Sequence, residues 1–213
     1  MILVKNVYLS YTKEYYTLNN INLEVNKGEK VVLFGEKESG KSSLIRVIAG
    51  LEKPTKGNVY LDNTDISKVD FKNGLSLGYI GSTGVFLNNK SLKKNLEYVL
   101  KIRKEQKEVI TSRVANALIK YNMENIADTK VKNLGRFEKL KLSIARLSLR
   151  KVDLFLIDDI FENLTKKETE ELIYYINELI NFENVTSIIA VSDKKIAEKL
   201  GGRQVKIKFG SIE

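Results

Sequence analysis

The run Gly35-Glu36-Lys37-Glu38-Ser39-Gly40-Lys41-Ser42-Ser43 sets a glycine, four residues and then Gly-Lys-Ser in the spacing of a phosphate-binding P-loop. Glycines at both ends let the backbone curl, so that successive N–H groups point inward at a polyphosphate. In such a loop Lys41 reaches the β- and γ-phosphates as a point charge, and the Ser42 hydroxyl sits on a Mg²⁺ ion. All nine residues from Gly35 to Ser43 are therefore expected to contact the ligand.

A P-loop needs a carboxylate to hold its metal, and the expected place is the C-terminal end of a neighbouring hydrophobic strand. Leu154-Phe155-Leu156-Ile157-Asp158-Asp159 supplies one. Asp158 is the expected Mg²⁺ ligand, direct or through water, and Asp159 stands where a base for an attacking water would be. Two acids opening a solvated turn would give the same letters, and the P-loop upstream decides between the two readings.

The flanking elements fit this chemistry. Lys30-Val31-Val32-Leu33-Phe34 is a short apolar run of the kind that makes a buried strand. After the loop, Leu44, Ile45, Val47, Ile48 and Leu51 recur at helical spacing, with Gly50 as the stop. Ile2 to Leu9 and Asn20 to Val25 read as strands, and Asn58 to Leu61 alternates again after a turn at Lys56-Gly57, giving antiparallel sheet on both sides of the P-loop unit. From about Ser91 to Arg150 the pattern is helical, with Leu92, Leu96, Val99 and Leu100 on one face and lysines opposite. A helix from about Lys167 to Asn181, a buried strand from Val185 to Val191, a helix from Asp193 to Leu200 and a last strand from Val205 to Phe209 complete the chain.

At 213 residues the chain can bury a sizeable core. It contains no cysteine, histidine or tryptophan, which excludes disulfides, thiol chemistry and every histidine-based mechanism, and fits a reducing compartment. The net charge of +9 comes from lysines scattered among glutamates rather than clustered with aromatics, so no specific nucleic acid is expected as a partner. Nothing reads as a transmembrane span, and Met1 to Lys5 is too short for a signal peptide.

These residues together resemble the nucleotide-binding subunit of ATP-binding cassette (ABC) proteins, over nearly the whole chain. The match runs through Gly35 to Leu51, Glu52 to Val59 and Asp62-Asn63-Thr64-Asp65-Ile66, and through the order of the segments. The resemblance implies an α/β P-loop NTPase: a mixed sheet core with an antiparallel β subdomain and a helical subdomain. It implies a single domain over 1–213, with residues 1–87 and 151–213 as core and about 88–150 as the helical part. ATP and Mg²⁺ are the implied cofactors. A transmembrane transporter subunit and a second nucleotide-binding subunit, identical or different, are the implied partners. The implied location is cytoplasmic, on the inner face of a membrane. Tyr11 falls where the family places an aromatic that stacks on adenine, although a tyrosine in such a place is otherwise core.

The family's hydrolytic parts are altered. Its lid-loop glutamine falls near Ser82, its signature loop reads Leu134-Gly135-Arg136-Phe137-Glu138, its switch histidine is Ser192, and Asp159 replaces a glutamate. Phe137 would obstruct close approach to a phosphate and Glu138 would add negative charge, while Arg136 is either a compensating donor or a plain surface arginine. Thr165 stands where the family has aspartate after the acidic strand. The first expectation is a subunit that binds MgATP with weak or no hydrolysis alone and couples nucleotide state to a membrane partner. The alternatives are a fully active homodimeric transport ATPase with Asp159 as base and Lys41 on the phosphates, and a non-catalytic nucleotide-gated scaffold docking through Lys93, Lys94, Lys101, Lys104 and Lys107.

Overall fold

The computed structural model describes residues 1–12, 15–70, 75–183 and 185–213. Its strands are β1 (Ile2–Leu9), β2 (Leu18–Val25), β3 (Lys30–Phe34), β4 (Lys56–Leu61), β5 (Thr64–Asp65), β6 (Leu77–Ile80), β7 (Leu154–Asp158), β8 (Thr186–Val191), β9 (Arg203–Lys208) and β10 (Ser211–Ile212). Its α-helices are α1 (Lys41–Ile48), α2 (Leu92–Lys101), α3 (Lys107–Lys120), α4 (Arg136–Ser148), α5 (Lys166–Glu183) and α6 (Lys194–Leu200).

The chain forms two compact units. The first comprises Met1–Ser82, Val152–Glu162 and Ile180–Glu213, and the second Thr83–Lys151 and Asn163–Leu179. The second unit thus takes in the segment after the acidic strand as well as the helical stretch read from sequence.

In the first unit, a six-stranded sheet runs in the order β10-β9-β3-β8-β7-β6. Its members from β9 to β6 pair in parallel, and β10 returns antiparallel to β9. Every residue of β7 and of β8 is buried, as expected of parallel strands covered on both faces. The ends of β3, β8 and β7 stand side by side, with Phe34 level with Val191 and Asp158 level with Ala190. A four-stranded antiparallel sheet, β2-β1-β4-β5, shares one core with this sheet and α1. Leu33, Leu44, Ile48, Leu156 and Ile188 are fully buried in that core. Each such side chain contributes about 1.5–3 kcal/mol of burial free energy to holding the P-loop in place.

Several boundaries differ from the sequence reading, β8 beginning at Thr186 instead of Val185 and β9 at Arg203 instead of Val205. β2 begins at Leu18 rather than Asn20, because Asn20 takes φ 51° at a register irregularity and breaks the alternation while Leu18 still pairs with Leu9. Lys56 and Gly57 belong to β4 instead of a turn before it. The last long strand ends at Lys208: Phe209 keeps the period-2 spacing of Val205 and Ile207, but lies in the turn to β10.

In the second unit α2, α3 and α4 pack on one another around Leu92, Leu96, Leu100, Val114, Leu118, Leu142 and Ile144, all buried. The buried face of α2 is completed by Asn95 rather than Val99. The Asn95 amide accepts from the Leu87 N–H (2.9 Å) and donates to the carbonyls of Leu87 (3.2 Å) and Ser91 (2.9 Å), so a polar side chain can sit in an apolar stripe. Lys93, Lys94, Lys101, Lys104 and Lys107 are exposed. Among the described residues no helix is long and apolar enough to cross a membrane.

Candidate functional site

The loop between β3 and α1 is shaped by its glycines. Gly40 adopts φ 104°, and a Cβ there would come within 2.8 Å of the Thr17 carbonyl oxygen. At Gly35 a Cβ would run into the Ile207 carbonyl oxygen. Gly40 is also the N-cap of α1, with no side-chain cap bond and no acidic residue in the first helical turn. The leading N–H groups of α1 therefore keep their unmet donor capacity and the positive end of the helix dipole, the arrangement that receives an anion.

Lys41 is folded back over this loop and is only 3% exposed. Its Nζ donates to the carbonyls of Gly35 (2.9 Å) and Glu36 (2.7 Å) and to Ser39 Oγ (3.3 Å). Those partners are neutral. Burial pushes the Lys41 ammonium below its ordinary value, and the fields of Asp159 and Asp158 oppose that push.

Asp158, 6% exposed at the end of β7, accepts a hydrogen bond from the Tyr79 hydroxyl at 3.1 Å through Oδ2. Its Oδ1 is buried without a hydrogen-bond partner among the described residues. Burial, followed by the Asp158 charge, pushes the Tyr79 phenol up to about 12, so Tyr79 stays a donor to the carboxylate. An orphaned carboxylate oxygen suits a Mg²⁺ ligand. Among the described residues no cluster of three or more acidic, histidine or cysteine side chains exists. A cation here would thus take most of its oxygens from water and a phosphate ligand, the usual habit of Mg²⁺.

Asp159 follows at φ 44°, its N–H bonded to the Ala190 carbonyl at 3.1 Å. Ser192, just past β8, donates its hydroxyl to Asp159 Oδ2 at 2.5 Å. Lys37 pairs with Glu162 at 2.5 Å. These groups open onto a cavity of about 660 Å³ lined by Lys37, Glu38, Gly40, Lys41, Ser42, Ser43, Asp159 and Glu162, with Tyr11, Tyr15, Tyr16, Thr17, Phe209 and Gly210 on its remaining walls.

Tyr11 is 57% exposed, and its hydroxyl bonds Ser43 Oγ (3.2 Å) and Glu52 Oε2 (2.5 Å). Burial and then the Glu52 carboxylate raise its pKa above the ordinary phenol value. Gly35, Glu36, Ser39 and Asp158 support the cavity without lining it, and the exposed Ser82 lies outside the lining.

Tyr15, Tyr16, Thr17, Glu162, Phe209 and Gly210 in the lining, and Tyr79 as the partner of Asp158, are not among the residues expected from the sequence. A large apolar residue directly before a glycine, at Phe209-Gly210, was the signal available for one of them.

In the second unit, Gly135 is the N-cap of α4, and a Cβ on it would lie 2.6 Å from Glu138 Oε2. The Glu138 carboxylate thus folds over the first turn of its own helix. The Phe137 ring is half-buried, with Lys141 Nζ 5.1 Å from its centroid. Thr165 bonds Glu168 Oε2 through its N–H (2.7 Å) and Oγ1 (2.8 Å), and the Glu168 N–H returns to Thr165 Oγ1 (3.3 Å), a capping box at the start of α5.

Residues 18–162 match the model of the ABC transporter family. The chain belongs to that family. Its fold is that of an ABC-type P-loop NTPase, a mixed sheet with an antiparallel subdomain and helices. A dimeric ATP-binding cassette solved in a post-hydrolysis state with ADP and Pi superposes with a TM-score of 0.86 at 25% identity, covering 100% of this chain and 97% of the other. Among curated ABC proteins, the chain is 31% identical over 208 residues to an sn-glycerol-3-phosphate import ATP-binding protein of Bartonella bacilliformis, covering 98% of this chain and 60% of the relative. It is 27% identical over 212 residues to a sulfate/thiosulfate import ATP-binding protein of Synechocystis, covering 100% and 59%. The chain spans about 60% of the length of such relatives.

Proposed function

We propose that this chain is the ATP-binding subunit of an ABC system, a single nucleotide-binding domain over residues 1–213 that binds MgATP at Gly35–Ser43. Asp158 and Ser42 would hold the Mg²⁺, whose chemistry is to neutralise charge on the phosphates. The observation that carries the reading is the pairing of a buried Lys41, bonded among the described residues only to neutral oxygens, with a buried Asp158 oxygen that has no hydrogen-bond partner among them, at the ends of β3 and β7 on either side of β8. Polyphosphate with its metal satisfies both groups at once. Tyr11 is a stacking surface for the base, tethered by its hydroxyl to Ser43 and Glu52.

Hydrolysis by the isolated chain is slow in this reading. Ser192 brings a hydroxyl where the family has an imidazole, Asp159 is one methylene shorter than glutamate, and Glu138 holds a negative charge over the N-terminus of α4. Nucleotide state is coupled to a membrane-spanning partner at the cytoplasmic face, in a homo- or heterodimer of cassettes. The relatives' names, which are those of import ATP-binding proteins, support the coupling.

Isothermal titration with MgATP tests the reading. Wild type binds at sub-millimolar nucleotide, and Lys41→Ala weakens binding about 100-fold or more while keeping its circular dichroism spectrum. Absence of wild-type binding at millimolar MgATP refutes the assignment.

A second reading is favoured by one observation, the Ser192 hydrogen bond that orients Asp159. In that reading Asp159 serves as general base in a fully active homodimer. Phosphate release at several turnovers per second, abolished by Asp159→Asn, would establish it in place of slow hydrolysis.

A further inference from the structure

We infer that Phe209 contacts the nucleobase: it supplies a second aromatic face, beside Tyr11, for the base of a nucleotide whose phosphates lie on the P-loop. The inference rests on the nucleotide reading above and adds a specificity residue to that site.

Phe209 and Gly210 form the two-residue turn between β9 and β10, where Lys208 pairs with Ser211 and Ile207 with Ile212. Both turn residues have positive φ, 47° and 75°. Turns of this kind favour Asn-Gly or Asp-Gly, and a bulky side chain in the left-handed region is an outlier. Core packing does not account for the phenylalanine either, since Phe209 is 81% exposed. The turn would be more stable, and the surface less apolar, with asparagine in its place. Strained and exposed residues of this kind concentrate at ligand sites.

The phosphate-binding loop itself holds the turn in position. The Gly210 N–H donates to the Ser39 carbonyl at 3.0 Å, and the Asn19 N–H donates to the Gly210 carbonyl at 2.8 Å. A Cβ on Gly210 would sit 2.5 Å from the Thr17 carbonyl oxygen, so the turn is packed tight against its neighbours. Phe209 is thereby fixed relative to Ser39 and lines the same cavity as Lys41 and Ser43.

Of the other rings on this wall, Tyr15 is 65% exposed, while Tyr16 and Tyr11 are more committed. Tyr16 stacks edge-on against Tyr8 at 5.3 Å and has Lys56 Nζ 5.9 Å from its centroid. The Tyr11 hydroxyl is tied to Ser43 and Glu52. Among the described residues the one cation over the Phe209 ring is Lys208 Nζ, at 5.5 Å, and that ammonium is shared with Glu213 at 3.6 Å. A ligand with a polyanionic end and a planar π-face fits a cavity with a helix N-terminus and an exposed aromatic ring. Inorganic tripolyphosphate has the first end alone.

The test compares MgATP with magnesium tripolyphosphate by isothermal titration on wild type, Phe209→Ala, Phe209→Asn and Phe209→Trp. Removing one stacked ring weakens MgATP by about tenfold. Tripolyphosphate affinity stays unchanged, and Phe209→Trp keeps MgATP affinity. Phe209→Asn raises the melting temperature of the free protein while weakening MgATP, a split that a residue present only for stability would not give. MgATP affinity within twofold of wild type in both the Ala and Asn variants overturns the inference, as does an equal loss for tripolyphosphate. In either case the nucleotide site stands. Wild type that binds neither ligand overturns the nucleotide reading and the inference with it.

Discussion

Ser192 Oγ donates to Asp159 Oδ2 across 2.5 Å, joining the ends of β8 and β7 at the mouth of the cavity. Asp159 is held at φ 44°, so one side-chain bond fixes a carboxylate whose backbone is already strained. Ser192→Ala costs about 1–2 kcal/mol in urea unfolding, the lower range for a hydrogen bond to a half-exposed charge. It lowers any MgATP turnover roughly 10- to 100-fold through loss of orientation, read by phosphate release, and Ser192→Thr restores both.

Gly40→Ala tests the geometry of the loop separately from its chemistry. The backbone sits at φ 104°, with the Thr17 oxygen 2.8 Å and Leu18 Cδ2 3.0 Å from the added methyl. A loss of about 2–3 kcal/mol is expected in chemical unfolding, together with loss of MgATP binding in titration. A Gly40→Ala protein as stable as wild type would show that the loop has room the structure denies it.

The ion pair between Arg203 Nε and Glu29 Oε1, at 2.6 Å, makes stability depend on pH. The Arg203 hydrogen bond holds the Glu29 carboxyl below the ordinary 4.5, against the opposing effect of burial. A carboxyl depressed in the folded state adds stability above its unfolded value, and this is lost as pH falls through the folded value. Glu29→Gln is therefore less stable than wild type by a constant amount between about pH 7 and 5, and the gap narrows below about pH 4.5. Urea unfolding at pH 7 and near pH 3.5 measures it.

Lys141 is buried in α4, with Nζ 3.1 Å from Glu171 Oε1 and 3.3 Å from the Asn122 carbonyl. Tyr175 donates to the same Glu171 oxygen at 3.2 Å and accepts from the Asn122 amide at 3.0 Å, closing a network within the helical unit. Lys141→Ala removes the charged donor from a partly exposed carboxylate that keeps its Tyr175 bond and costs about 1.5–3 kcal/mol, whereas a Lys141→Met, Glu171→Leu double variant comes close to wild type. Equilibrium unfolding of the two variants checks both values.

The P-loop, its flanking strand and helix, and the acidic end of β7 were legible because each carries a local pattern: fixed glycine spacing, an apolar run, a 3.6-residue period. The partners of those groups were not, because they come from distant chain. Tyr79 reaches Asp158, and the Phe209-Gly210 turn reaches Ser39, through strand order that no local window contains. Period 2 carries across the turn from Val205 and Ile207, so the letters alone place Phe209 in a strand. From the letters Ser192 is only a missing imidazole, and its contact with Asp159 depends on β7 and β8 being neighbours. Thr165, read as a lost aspartate, heads a Thr-x-x-Glu sequence whose capping box was visible in the letters.

β8 separates β3 from β7, so the loop that carries the lysine and the strand that carries the acid begin two strand spacings apart, about 9–10 Å. A direct contact between ammonium and carboxylate would let the two opposite charges neutralise each other and leave little for a visitor to bind. With one strand as a spacer, Lys41 turns to backbone carbonyls and Asp158 to a phenol. The molecule therefore carries a separated pair of charges whose mutual compensation is left to something that enters from solution.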